Sequence, residues 1–217
     1  MDGGYDWPQT EDSMQFRLTY AGKLPSTQRE RLPHQYDRLA GVRHDIRKVF
    51  HSQLKRLWEV NANLNGTAFK EVIWADVRAL PPRTIPEIAE QHAMYGWNFV
   101  PLVTAAHDLL CSLDILFLRP TPPGNVWAGD IDNRIKTLFD ALQIPDANER
   151  YHNTSPDDDQ KPFFCLFEND KLITKIAVET DELLEPVGAV FDPSDVRLVI
   201  NVELRPYFIN IANRHFG

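Results

Sequence analysis

Residues 129–142 read GDIDNRIKTLFDAL, and this stretch decides the fold. Ile131, Ile135, Leu138, Phe139 and Leu142 recur at spacings of three and four, which predicts a helix over residues 130–143 with one apolar stripe. Gly129 and Asp130 mark its start, since aspartate is a favoured cap residue. The ten apolar-rich residues before it, 109–118 (LLCSLDILFL), suit a buried strand, and RPTPPGN then ends that strand. After the helix, residues 145–162 read as a loop carrying Asp157, Asp158 and Asp159. Two strands are expected to close the chain, one around 172–178 and one over 196–204, where Val196, Leu198, Ile200 and Val202 share a face.

Toward the amino terminus, MQFRLTYAGKL sets Phe16, Leu18 and Tyr20 on one face of a half-buried strand closed by Gly22. A basic amphipathic helix follows, roughly 36–60. In it Leu39, Val42, Ile46, Val49, Phe50, Leu54 and Leu57 alternate with Arg43, Arg47, Lys48 and Lys55. Residues 61–98, punctuated by Pro81, Pro82 and Pro86, read as an insertion or connecting segment with a short helix starting near Ile85. The expected fold class is therefore α/β: a small mixed β-sheet with packed helices in a single domain over 14–217, preceded by a flexible acidic tail over 1–13.

At 217 residues, 43% apolar and 25% charged, the chain has the composition of an ordinary globular protein. Its longest apolar run is broken by His107, Asp108 and Asp114, which argues against a membrane span. With no signal-peptide pattern at the amino terminus and with Cys111 and Cys165 read as two buried thiols, a cytoplasmic location is expected. The net charge of −8 is uneven. Residues 16–56 hold ten Lys/Arg against three Asp/Glu, whereas residues 140–195 hold four against fourteen. An acidic protein of this kind can still present a basic face to phosphates.

The opening stretch also carries the candidate chemistry. Asp130 and Asp132 stand at a helix mouth, where free N–H groups and the helix dipole favour negative charge. Two carboxylates held close together repel unless a cation lies between them, and Mg²⁺ often takes one or two protein carboxylates beside substrate phosphates. Lys136, one turn on, would project from the same side and neutralise phosphate charge or protonate a leaving oxygen. The bland reading is a capping Asp-x-Asp with an Asp132–Lys136 pair at i,i+4. Asp170, in FENDKLITKIAV at the entry of a strand, is a candidate third carboxylate, or else a residue of a solvated turn.

The helix start DIDNRIKTLFDAL resembles the D-x-D-N-x-x-K-x-x-x-D-A-L signature of the RusA-like Holliday junction resolvases. The flanks agree: an F-x-L-x-x-x-G strand opens the chain, an apolar strand ending in Arg-Pro precedes the motif, an acidic turn leads a strand after it, and the last strand ends in Arg205-Pro206. The likeness covers 111–206 well and 16–48 weakly.

It implies a RusA-like domain in which Asp130, Asp132 and Asp170 bind Mg²⁺ (Mn²⁺ the alternative) and Lys136 assists catalysis. Asn133 would orient a metal ligand, and Asp140 would hold the helix in place. The chain departs from the family at Glu168-Asn169-Asp170, where two adjacent acids are usual, so Glu168 and Asp170 both stand as third ligand. A homodimer acting on branched DNA is implied as well, because a four-way junction is close to two-fold symmetric. Arg29, Arg31, Arg43, Arg47 and Lys48 are the candidate nucleic-acid contacts. Two other readings stay open: a metal nuclease of the same fold acting on another branched or single-stranded nucleic acid, and a non-catalytic DNA-binding module.

Overall fold

The structure is a computed structural model that describes residues 13–26, 39–61, 64, 84–120, 131–145, 155–188, 192–208 and 213. It is mixed α/β. A four-stranded sheet has the order β1-β7-β4-β6, built from β1 (Met14–Lys23), β4 (Leu109–Arg119), β6 (Ile173–Glu182) and β7 (Asp195–Pro206). A three-stranded sheet has the order β2-β3-β5, built from β2 (Ala93–Met94), β3 (Trp97–Val103) and β5 (Phe163–Phe167). The helices are α1 (Ala40–Val60), α2 (Ile85–Gln91) and α3 (Ile131–Leu142).

Period-two alternation builds the larger sheet. Leu109, Cys111, Leu113, Ile115 and Phe117 of β4 are buried, as are Val196, Leu198, Ile200, Val202 and Leu204 of β7, where the expected face is the inner one. Leu18 and Tyr20 of β1 join them. This inner face packs in one core with Ile46, Phe50, Leu54 and Trp58 of α1 and with Leu138, Ala141 and Leu142 of α3. Each of the buried Val, Leu, Ile and Phe side chains among them contributes about 1.5–3 kcal/mol on burial.

β4 and β6 run parallel, from Cys111 beside Ile173 to Arg119 beside Glu182. α3 belongs to the crossover between them. Its amino end therefore lies at the carboxyl end of β4, and its carboxyl end lies near the start of β6. β6 is an edge strand whose residues are all exposed or half-buried, with Ile176 and Val178 in the open.

The segment expected as an insertion is partly load-carrying structure. Among its described residues, α2 begins at Ile85 as expected, with Thr84 and Glu87 capping each other, and β2 and the start of β3 enter the second sheet. β5 lies in the stretch between the expected acidic loop and the expected strand at 172. It pairs in parallel with β3, and Trp97, Phe99, Phe163 and Cys165 form a second small core. Both cysteines are buried thiols outside any disulfide, as read from the sequence. No helix among the described residues is long and apolar enough to cross a membrane.

Candidate metal and phosphate site

α3 is pinned at both ends. Near its amino end Arg134 Nη2 donates to the Pro193 carbonyl at 2.8 Å, and Thr137 Oγ1 donates to the Pro25 carbonyl at 3.3 Å. These contacts fix the first turns against the ends of β1 and β7. At the carboxyl end, the last helical carbonyls have no intrahelical donor. Arg47 of α1 supplies one: its Nε donates to the Gln143 carbonyl at 3.0 Å, and Nη2 donates to the Asp140 carbonyl at 2.5 Å. Arg43 lies 3.7 Å from the Asp140 carboxylate. Asp140 thus ties α3 to α1.

This corrects the reading of α1 as a phosphate-facing helix. Arg43 and Arg47 are 5% and 1% exposed, on the same stripe as Ile46, Phe50 and Leu54. Lys48 is half-exposed and lies 4.0 Å from Asp45, a surface pair worth little. Arg29 and Arg31 lie outside the described residues.

At the amino end of α3, Asp132 and Lys136 are both exposed, one turn apart on one face. The Asp132 carboxylate accepts from the backbone N–H of Asn133 at 2.6 Å. Lys136 makes no hydrogen bond or ion pair among the described residues, so the i,i+4 pair with Asp132 is not formed. Asn133 continues the turn, its carbonyl 3.1 Å from Thr137 Oγ1, whose one proton is shared between this carbonyl and that of Pro25. Asp130 lies outside the described residues.

Asp170 stands at the other end of the helix. It opens a single 3₁₀ turn before β6, and its N–H donates to Gln143 Oε1 at 3.2 Å. Eleven residues of helix separate Asp132 from Gln143, which at 1.5 Å per residue is roughly 16 Å. Carboxylates sharing one Mg²⁺ each lie about 2.0–2.1 Å from it. Within one chain, Asp170 and Asp132 cannot share an ion. Glu168 is turned away as well, its carboxylate accepting from the Ala105 N–H at 3.2 Å and lying 3.9 Å from His92. No group of three His, Cys, Asp or Glu side chains that could hold a metal occurs among the described residues.

Two arginines that the sequence reading did not single out lie under the helix mouth. Arg119 ends β4 in phase with its buried residues, and Arg134 faces the sheet; they are 8% and 5% exposed. Burial lowers the Arg134 pKa first, and the nearby Arg119 charge lowers it further. The signal was present, since an arginine in register with Leu113, Ile115 and Phe117 points inward.

His44 and His51 of α1 are neutral packing groups. Phe164 N–H donates to His51 Nδ1 at 2.8 Å, which places the proton on Nε2, facing the Asp159 carbonyl at 3.1 Å. Burial holds its pKa down, and burial likewise lowers His44, between Trp97 and Phe163, to about 4. Compared with family models, with curated proteins and with solved structures, the chain matches none.

Proposed function

We propose that this chain is a metal-dependent endonuclease of branched DNA that acts as a homodimer, a RusA-like junction resolvase in which each metal site is assembled from two copies. The observation that carries the reading is the pair Asp132 and Lys136, exposed together at a helix mouth and not paired with each other. A carboxylate and an ammonium left open on one face suit a metal and a phosphate better than they suit a structural role.

The donor chemistry fits Mg²⁺ in part. Asp130 and Asp132 are hard oxygen ligands one residue apart, and the ion accepts one or two carboxylates with waters and phosphate oxygens. Bound there, it would supply charge neutralisation at the phosphate and a water of lowered pKa. Asp170 fits only if it comes from elsewhere, because in its own chain it is about 16 Å away. Edge strand β6 offers a route. Pairing it antiparallel with β6 of a second copy sets the start of each strand, where Asp170 sits, against the end of the other, where α3 begins.

Within such a site the chain's own groups have distinct tasks. Asp132 is held at the mouth by its contact with Asn133 N–H. Lys136 is free to approach the phosphate, to balance its charge or to give a proton to the leaving oxygen. Asp140, Arg43 and Arg47 keep α3 fixed so that the mouth does not wander. Lys48 and, outside the described residues, Arg29 and Arg31 are the candidate contacts to flanking phosphates.

The test is a synthetic four-way junction incubated with the protein and Mg²⁺ or Mn²⁺, with Asp132→Asn as control. Paired nicks by wild type and none by the variant support the reading. An intact junction with both proteins, across metals and salt, refutes it; cleavage of flaps or single strands in its place would favour another substrate for the same chemistry.

A further inference from the structure

Arg119 poses a question that the carboxylates do not answer. Its side chain is 8% exposed and its Nε is buried with no hydrogen-bond partner. Among the described residues it forms no ion pair. Glu182, beside it on β6, is exposed and makes none with it, and Asp192, whose charge acts on Arg134, is bound to Lys23 at 2.6 Å. A guanidinium stays protonated throughout the pH range in which proteins fold. Burying one without a counter-charge is among the costliest arrangements a core can hold. Arg134, 5% exposed, adds a second positive charge close by. Arg134 belongs to the first turn of α3, the positive end of a twelve-residue helix dipole.

We propose that Arg119 and Arg134, under the amino end of α3, form a binding site for one phosphodiester oxyanion of a nucleic-acid backbone. The identity of the anion rests on the nuclease reading; the site rests on the buried charge. Arginine suits the task because its planar fork offers parallel donors to two oxygens of one phosphate. Arg134 lies two residues past Asp132, roughly 200° around the helix, so the two side chains are on opposite sides of a cylinder about 10–12 Å wide. The phosphate held here is therefore a different one from that at the carboxylates. Arg119 and Arg134 are positioning residues: they would anchor the strand while its neighbour is presented to Asp132 and Lys136.

The experiment follows thermal unfolding of the full chain, without metal, in inorganic phosphate and in oligothymidylate, with chloride controls at equal ionic strength. Wild type is expected to gain stability with phosphate in a saturable way, and with oligothymidylate at lower phosphate-equivalent concentration. Arg119→Met is expected to unfold at a higher temperature than wild type in phosphate-free buffer, and to bind phosphate at least about tenfold more weakly, the loss of one charge-assisted bond.

A wild type that responds to phosphate no more than to chloride overturns the proposal. So does an Arg119→Met variant that is less stable yet keeps the response, and a response to phosphate with none to oligothymidylate overturns the backbone assignment. Should the variant fail to fold, the arginine Nε–H resonances of wild type decide: phosphate must shift a slowly exchanging pair, and unshifted resonances refute the site. Junction cleavage is scored separately. Cleavage without a phosphate response sinks this site alone, whereas a phosphate response without cleavage supports the site and sinks the nuclease reading.

Discussion

Replacing Arg47 by alanine separates a structural arginine from a DNA-binding one. In the fold, Arg47 is 1% exposed and donates to the carbonyls of Asp140 and Gln143 at the end of α3. Removing it takes the donor from two half-buried acceptors, at about 1–3 kcal/mol each. The lost packing of the side-chain stem adds to this. The expected destabilisation is therefore about 3–5 kcal/mol, at the large end for a point substitution. In urea, with a slope of about 2–3 kcal/mol/M for a chain of this size, the midpoint should fall by roughly 1–2 M. Arg47→Met restores much of the volume but not the donors, so it should recover part of that loss. Lys48→Ala, one residue along and open to solvent, should change stability by less than about 0.5 kcal/mol. Measured on junction DNA under folding conditions, Arg47→Ala should keep the wild-type salt slope, since no phosphate contact is lost. A stable Arg47→Ala variant whose salt slope drops by about one would refute this account of α1 and return Arg47 to the DNA interface.

Burial depresses His44 to about 4 and lowers His51, so both bind protons better when unfolded. Stability from these groups is fully present above the unfolded value of 6.5 and should fall as pH drops from there toward about 4; a flatter urea midpoint against pH in His44→Gln checks it. Burial pushes the Cys111 thiol up to about 12, and Cys165 is equally enclosed, so neither should react with an aromatic disulfide reagent until the chain unfolds, when both should. Asp132 is exposed, so Asp132→Asn should unfold within about 0.5 kcal/mol of wild type while losing junction cleavage, the two being read by denaturation and by gel.

Local periodicity made α3, β4 and β7 legible, because each has one wet and one dry side. β5 lacks that contrast: all five of its residues are buried, a run no period can mark. β3 was hidden for the same reason, with six of its seven positions enclosed. On α1 the stripe was legible but its charges were misassigned, since arginine is read as polar and its partner carbonyls lie about 93 residues away in the chain. Asp170 shows the opposite case. A strand parallel to β4 must begin at the far end of the crossover helix, which separates Asp170 from Asp132, and that separation depends on strand pairing that local sequence does not display.

The central claim is that each site joins Asp132 of one copy to Asp170 of another. Asp132→Asn and Asp170→Asn are each expected to be inactive alone on a four-way junction with Mg²⁺. Mixed in equal amounts and allowed to exchange, they should regain cleavage: half the dimers would be mixed, each with one intact site, giving about a quarter of wild-type nicking, mostly of single strands. A mixture as inactive as its components, with exchange confirmed, would contradict the shared site, and so would full activity of Asp170→Asn alone.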